Sequence, residues 1–275
     1  MELKIDTKIE LSNDIFIPII GLGTWDLNGK AAYNAVSWAL EMGYRLIDTA
    51  TIYENEKKVG EAIKDSGIPR DEVFITTKVW KSDQGYDNTL AALETSIKKL
   101  DIDYIDLYLI HWPVLGKTTE TWKAMEYLYE EGKARAIGVS NYNLHFLNEL
   151  LDNSEEIPVV NQVEFSPFLY QKELLEFCKL KNIRLEAYSP LTRGKKLDHP
   201  KVLEIAQKYN KSTAQVLIRW GLQHEIIEIP KSGNRDHLEE NINIFDFSLK
   251  SSEMQELDNL NKDFRVVEDP VLYRE

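Results

Sequence analysis

Cysteine occurs once in the 275 residues, at Cys178, so no intramolecular disulfide can staple this chain. Its neighbours, LLEFCKLKN, read as a helix face, which favours a buried inert thiol over a nucleophile and suits a reducing compartment. Long apolar runs are missing as well: IFIPII is soon broken by glycine, far short of bilayer-spanning length. The opening MELKIDTKIE alternates charge with aliphatics and lacks the apolar core of a secretory signal. A cytoplasmic location is therefore expected, and the Asn210-Lys-Ser sequon is set aside. Positive charge is the minority, with 33 Lys and Arg against 46 Asp and Glu, a net charge of -13 and a pI near 5.0. That balance opposes attraction to nucleic acid or anionic membranes, and neither is expected as a partner, although a local basic pocket is compatible with it. Linkers rich in Pro, Gly or Ser, low-complexity segments and repeats of fixed length are also absent. One domain over residues 1–275 is expected, as a monomer acting on a small molecule.

With 43% hydrophobic and 29% charged residues, the chain can bury a substantial core. From residue 19 onward, short β-rich runs alternate with segments of helical periodicity. IIGLG precedes AAYNAVSWALEMG, RLIDTA precedes NEKKVGEAIKDSG, VFITTK precedes NTLAALETSIKKL, and YIDLYLIH precedes TWKAMEYLYEEG. The alternation continues through ARAIGVS, PVVNQVEF, IRLEAYSP and IIEIP, giving about eight units. That count predicts an α/β fold of the (β/α)8 TIM-barrel type, with parallel strands joined by helical crossovers. Residues 3–17, with Asn13-Asp14 near the turn, predict an N-terminal β-hairpin that plugs one barrel end. A short C-terminal tail follows the helical SSEMQELDNL. A doubly wound sheet is the competing arrangement. It is weakened by Gly21-Leu-Gly23-Thr-Trp-Asp26, where Asp26 stands in the third glycine position of a dinucleotide fingerprint.

In a barrel of this kind, reactive side chains gather where strands end. RLIDTA ends with Asp48, VFITTK with Lys78 and YIDLYLIH with His111, while Tyr53 follows Asp48 in the same loop. Each alone has a structural explanation as a cap, a snorkelling lysine, a packed ring or a core histidine. Three adjacent strand ends of this kind, with a tyrosine in reach, point instead to a general acid. Lys78 would stabilise the Tyr53 phenolate, Asp48 would hold the Lys78 charge, and a neutral His111 would orient a carbonyl oxygen. None of these groups delivers hydride, so a nicotinamide cofactor must be bound. Ser140, Asn141, Gln162 and Tyr188 offer carboxamide and ring contacts, and Lys231, Ser232 and Arg235 precede a helix amino terminus that suits phosphate. Trp25, Trp80 and Trp112 would wall a substrate site with Tyr53 and His111, whereas Trp38, Trp122 and Trp220 read as core. His145, His199 and His224 read as surface or structural.

GYRLIDTATIYENEKKVG, KVW, LYLIHWP, KARAIGVSNY, NQVEFSPF, EAYSPL and IPKS, in this order, closely resemble the aldo-keto reductases, in a short-tailed, prokaryotic-like form. The resemblance runs from Gly21 to about Phe247. It implies reversible reduction of aldehydes or ketones with NADPH, with Tyr53 as proton donor, Lys78 and Asp48 as its tuners and His111 as orienter. It also implies cofactor contacts from Gly23, Thr24, Trp25, Asp48, Ser189, Leu191, His237, Glu240 and Asn241, beyond those already named. His237 stands where the family commonly has an arginine for the adenosine 2'-phosphate, so NADH is expected to be tolerated. The tail FRVVEDPVLYRE is shorter than in many members, which implies a more open pocket. Two other readings compete: a noncatalytic nicotinamide-binding protein on the same barrel, and a metal-dependent hydrolase, for which no His-x-His pair is present.

Overall fold

The computed structural model describes residues 3–270. Strands β1 (Lys8–Glu10) and β2 (Phe16–Pro18) form the antiparallel hairpin, which turns through Asp14 at φ 63°. Eight parallel strands follow: β3 (Leu22–Gly23), β4 (Leu46–Asp48), β5 (Phe74–Val79), β6 (Leu107–Ile110), β7 (Ile137–Ser140), β8 (Val160–Glu164), β9 (Arg184–Tyr188) and β10 (Ile227–Glu228). They pair in sequence order from β3 to β10. Parallel bridges Ile20 to Glu228 and Gly23 to Lys231 close the ring. Gly23 is required at that seam, because a Cβ there would lie 2.8 Å from the Ile229 carbonyl oxygen. The fold is therefore a (β/α)8 barrel, with the predicted hairpin in place.

Helices α1 (Lys30–Glu41), α2 (Glu56–Asp65), α3 (Tyr86–Leu100), α4 (Thr118–Glu130), α5 (Leu144–Leu151) and α6 (Lys172–Leu180) follow the first six barrel strands in turn. The pair α7 (Pro200–Tyr209) and α8 (Thr213–Gln223) follows β9, and α9 (Arg235–Ile242) and α10 (Ser251–Asp258) follow β10. Helix α8 starts where Ser212 and Gln215 form a reciprocal capping box, which satisfies two otherwise orphaned amides.

The two-residue alternation of the strands decides what fills the barrel. On β6, Tyr108 and Ile110 join the large core between sheet and helices, whereas Leu107 and Leu109 join a second cluster inside the ring. Leu46, Phe74, Val160 and Ile227 belong to that inner cluster, and Leu11 and Ile17 of the hairpin region pack against them. The hairpin thus seals the amino-terminal end of the barrel with apolar contacts. Cys178 is fully buried, and desolvation pushes its thiol up to about 12. Trp122 and Trp220 are core residues and Trp38 packs on the core's edge. Among the described residues, no helix is long and apolar enough to cross a membrane.

Candidate active site

Two residues beyond the inner apolar cluster, Leu46 is followed by Asp48 and Val160 by Gln162, and the neighbouring strands β5 and β9 bring in Lys78 and Glu186. Lys78 is fully buried and its Nζ donates to Asp48 Oδ1 at 2.7 Å, Asp48 Oδ2 at 2.7 Å and the Thr49 carbonyl at 2.8 Å. All three ammonium hydrogens are therefore committed. Burial pushes the Asp48 carboxyl upward, and the Lys78 ammonium and a Gln162 N–H oppose that push.

Tyr53 stands on a single 3-10 turn, Thr51–Tyr53, which would be loose without its anchors. Thr51 Oγ1 donates to the Lys78 carbonyl at 2.9 Å. Buried Asn55 donates to the carbonyls of Thr24 and Leu27, each at 2.9 Å, and accepts from Thr49 Oγ1 at 2.6 Å. These bonds tie the β4 loop to the β3 loop and hold the phenol against the cavity. The Lys78 Nζ lies 5.2 Å from the Tyr53 ring centroid, and the Tyr53 hydroxyl is 3.5 Å from His111 Nε2. Trp80 meets the His111 ring edge-on at 5.1 Å.

Burial, with Lys78 and Lys81 nearby, holds His111 well below its usual value, so the imidazole is neutral. Among the described residues, its buried Nδ1 has no hydrogen-bond partner. An unpaired acceptor is tolerated there more easily than an unpaired N–H, which places the proton on Nε2, facing Tyr53. Tyr53 behaves differently from the sequence expectation. Burial and the Asp48 carboxylate push its phenol well above the ordinary value, while Arg193 acts in the opposite direction. The Lys78 charge is largely cancelled by the carboxylate it grips, so the phenol is held protonated rather than made acidic at rest.

These groups face a cavity of about 960 Å³ at the carboxyl ends of the strands. Of the residues expected there, Gly23, Asp48, Tyr53, His111 and the three indoles of Trp25, Trp80 and Trp112 line it. So do Ser140, Asn141, Gln162, Tyr188, Ser189 and Leu191, and on the β10 side Lys231 and His237. Asn141 donates to the His111 carbonyl at 2.9 Å and accepts from the Tyr188 hydroxyl at 2.7 Å, which fixes the Tyr188 ring as part of the wall. Other expected contacts lie elsewhere. Thr24 is buried behind the wall, bonding the Asp48 carbonyl at 2.9 Å, and Lys78 sits beneath it. Arg235 pairs with Glu41 at 3.1 Å, and Glu240 and Asn241 belong to α9 without reaching the cavity. Ser232 Oγ accepts from Asn234 N at 3.1 Å, and Asn234 Oδ1 caps α9 by accepting from Asp236 N and His237 N. The first amides of that helix are thus already occupied.

Four features of the site were not singled out in the sequence, one of them, Arg193, in the cavity lining itself. Glu186 accepts from Gln162, and Gln84 donates to the Trp112 carbonyl at 2.7 Å. Arg193 lies 4.1 Å over the Trp25 ring on a loop where Thr192 and Arg193 both have positive φ. Glu164 receives the backbone N–H groups of Val266 and Val267 at 2.7 and 2.9 Å, so the tail is drawn to the cavity, which Val267 lines. The end of the tail, residues 271–275, lies outside the described residues. Among the described residues, no three His, Cys, Asp or Glu side chains cluster as a metal ion would need.

The profile of the aldo/keto reductase family matches residues 19–262. The chain belongs to the aldo/keto reductase family. It is 51% identical over 271 residues to a protein named glyoxal reductase from Bacillus subtilis, covering 98% of both chains. An aldo-keto reductase from a Medee basin deep-sea metagenome library superposes with a TM-score of 0.93 at 47% identity, over 96% of this chain and 98% of that one. The aldo-keto reductase of Bombyx mori in complex with NADP gives a TM-score of 0.91 at 37% identity, over 97% and 96% of the two chains. Within this family the chain is an oxidoreductase.

Proposed function

We propose that the chain is an NADPH-dependent carbonyl reductase that converts an aldehyde or ketone to its alcohol, with Tyr53 as proton donor. The observation that carries this reading is the convergence of two neutral donors, the Tyr53 hydroxyl and His111 Nε2, 3.5 Å apart on one cavity wall. That separation is long for a hydrogen bond between them. Both donors can therefore turn to one ligand oxygen.

The cavity fits a nicotinamide nucleotide on its own chemistry. Among the described residues, Gln162 Oε1 has no protein partner while both hydrogens of Nε2 are used, and the Tyr188 ring presents a fixed face. Lys231 and His237 supply the basic side suited to phosphate. When bound, the reduced cofactor supplies the hydride. His111 orients the carbonyl oxygen, and as the C=O π bond breaks and a C–H bond forms, that oxygen gains negative charge. Tyr53 gives up its proton to make the O–H bond, and solvent later returns one to the phenolate. The high resting affinity of Tyr53 for its proton means that only a strongly basic oxyanion draws it off, which ties proton transfer to carbon–hydrogen bond formation.

The name of the Bacillus subtilis relative directs the first substrate panel to small dicarbonyls. The indole walls add aliphatic and aromatic aldehydes. His237 in place of a guanidinium favours NADPH less strongly than an arginine would, so NADH is also used. Following NADPH and NADH oxidation across this panel tests the assignment. Tyr53→Phe should lower turnover about 10³-fold while NADPH binding is retained. A Tyr53→Phe enzyme with most of its activity assigns the acid elsewhere, and a chain that binds NADPH but reduces no carbonyl is a noncatalytic binder.

A further inference from the structure

Glu186 is fully buried on β9, and the proposed chemistry does not use it. The side-chain amide of Gln162 lies between it and the ion pair, with Nε2 donating to Asp48 Oδ1 at 2.7 Å and to Glu186 Oε2 at 2.7 Å. Asp48, gripped through both oxygens by Lys78, can only accept, so the nitrogen end of the amide must face inward. With Asp48 as sole acceptor, the second N–H of Gln162 would be free to seek a partner on the cavity side. Glu186 removes that freedom. We propose that Glu186 is a positioning residue that pins Gln162, so that Oε1 is held toward the cavity as an acceptor for the N–H of the cofactor's carboxamide.

This inference rests on the nicotinamide reading above and deepens it. A carboxylic acid suits the position better than a carboxylate. A second negative charge beside Asp48 would be poorly compensated, because the Lys78 ammonium is already committed to Asp48 and Thr49. Burial and the Asp48 charge push the Glu186 carboxyl up to about 8, which keeps it neutral near pH 7 while its Oε2 still accepts from the amide. The groups facing it are Asp48 from β4, Lys78 from β5 and Gln162 from β8. A leucine or valine here would leave the second amide hydrogen of Gln162 without its acceptor.

The test compares two nucleotides by equilibrium fluorescence titration: NADPH and the analogue carrying 3-acetylpyridine in place of nicotinamide, which lacks the amide N–H. Wild-type protein should bind NADPH at least tenfold more tightly than the analogue. Glu186→Met, close in size but unable to accept, should bind NADPH at least tenfold more weakly than wild type and bind both nucleotides alike. Glu186→Gln, which can still accept through its own Oε1, should restore most of the discrimination. A Glu186→Met protein that discriminates as well as wild type overturns the inference and leaves the carbonyl reductase reading intact. Equal binding of the two nucleotides by wild type overturns it without any variant. A wild type that binds neither nucleotide overturns both.

Discussion

The two ends of the barrel interior behave as different materials. At the amino-terminal end, Leu46, Phe74, Leu107, Val160 and Ile227 meet the hairpin residues Leu11 and Ile17 in a dry cluster. Toward the carboxyl end, Asp48 follows Leu46 and Gln162 follows Val160 two residues on, about 6.6 Å at the usual strand rise, and both line the cavity, with Lys78 and Glu186 buried against them. At the apolar end each contact is non-directional, so a deleted side chain costs stability through the volume it leaves without stranding a charge. The polar end differs. The donors of Lys78 and Gln162 all have assigned acceptors, and removing one leaves a buried charge or amide exposed to a low-dielectric interior.

Breaking one contact at each end should make that difference measurable. Lys78→Met strands the Asp48 carboxylate and should cost about 3–5 kcal/mol of stability by chemical denaturation, with turnover reduced to background. Ile17→Ala should cost about 2–5 kcal/mol through the cavity it leaves, while turnover per folded molecule is unchanged. If Ile17→Ala impairs turnover as severely as Lys78→Met does, the two ends are mechanically coupled and the comparison fails.

The polar end should also respond to pH where the apolar end is silent. An unfolded Glu186 loses its proton near its ordinary value of 4.5, whereas the folded one holds it to about 8. Between those values the unfolded state binds fewer protons, so this residue makes stability fall as pH rises, by up to about 1.4 kcal/mol per unit. Denaturation of wild type and Glu186→Gln across pH 5–8 should give curves that converge at the acid end and diverge in favour of the variant toward pH 8. Parallel curves would mean that Glu186 is ionised in the fold.

Which parts of this organisation were legible in the sequence follows from how far each signal reaches. Strand and helix alternation is local, and Asp48, Lys78 and His111 each read at the end of a strand run, although the register pairs Asp48 with Thr76 and Lys78 with Leu109. Glu186 sits inside the readable EAYSPL, but its partner Gln162 is 24 residues away and Gln162's other partner, Asp48, 114 away. Only closure of the ring brings the three together. For Tyr53, the sequence reading has Asp48 holding the Lys78 charge; the fold adds that the grip is bidentate and that burial and the same carboxylate push the phenol upward. Phosphate capture at the α9 terminus was read from loop composition, and Asn234 in that same loop supplies an internal competitor for its amides. Asn55, Glu164 and Arg193 gave no signal, because their partners are backbone groups, a distant ring or the tail.

The smallest effects are expected where the cavity meets the outer surface, and they separate two basic residues that lie two positions apart. His237 faces the cavity, so His237→Arg should tighten NADPH binding about tenfold, with little change for NADH, because a guanidinium adds a bidentate partner for the 2'-phosphate. Arg235 turns away to Glu41, both side chains being more than half exposed (53% and 57%). Arg235→Ala should therefore leave NADPH affinity unchanged and alter stability by less than about 0.5 kcal/mol. Salt titration of NADPH affinity in the two variants checks the assignment. A loss on Arg235→Ala matching the gain on His237→Arg would show that Arg235 leaves Glu41 when nucleotide binds, placing the phosphate site on the outer face of α9 as well as on the cavity wall.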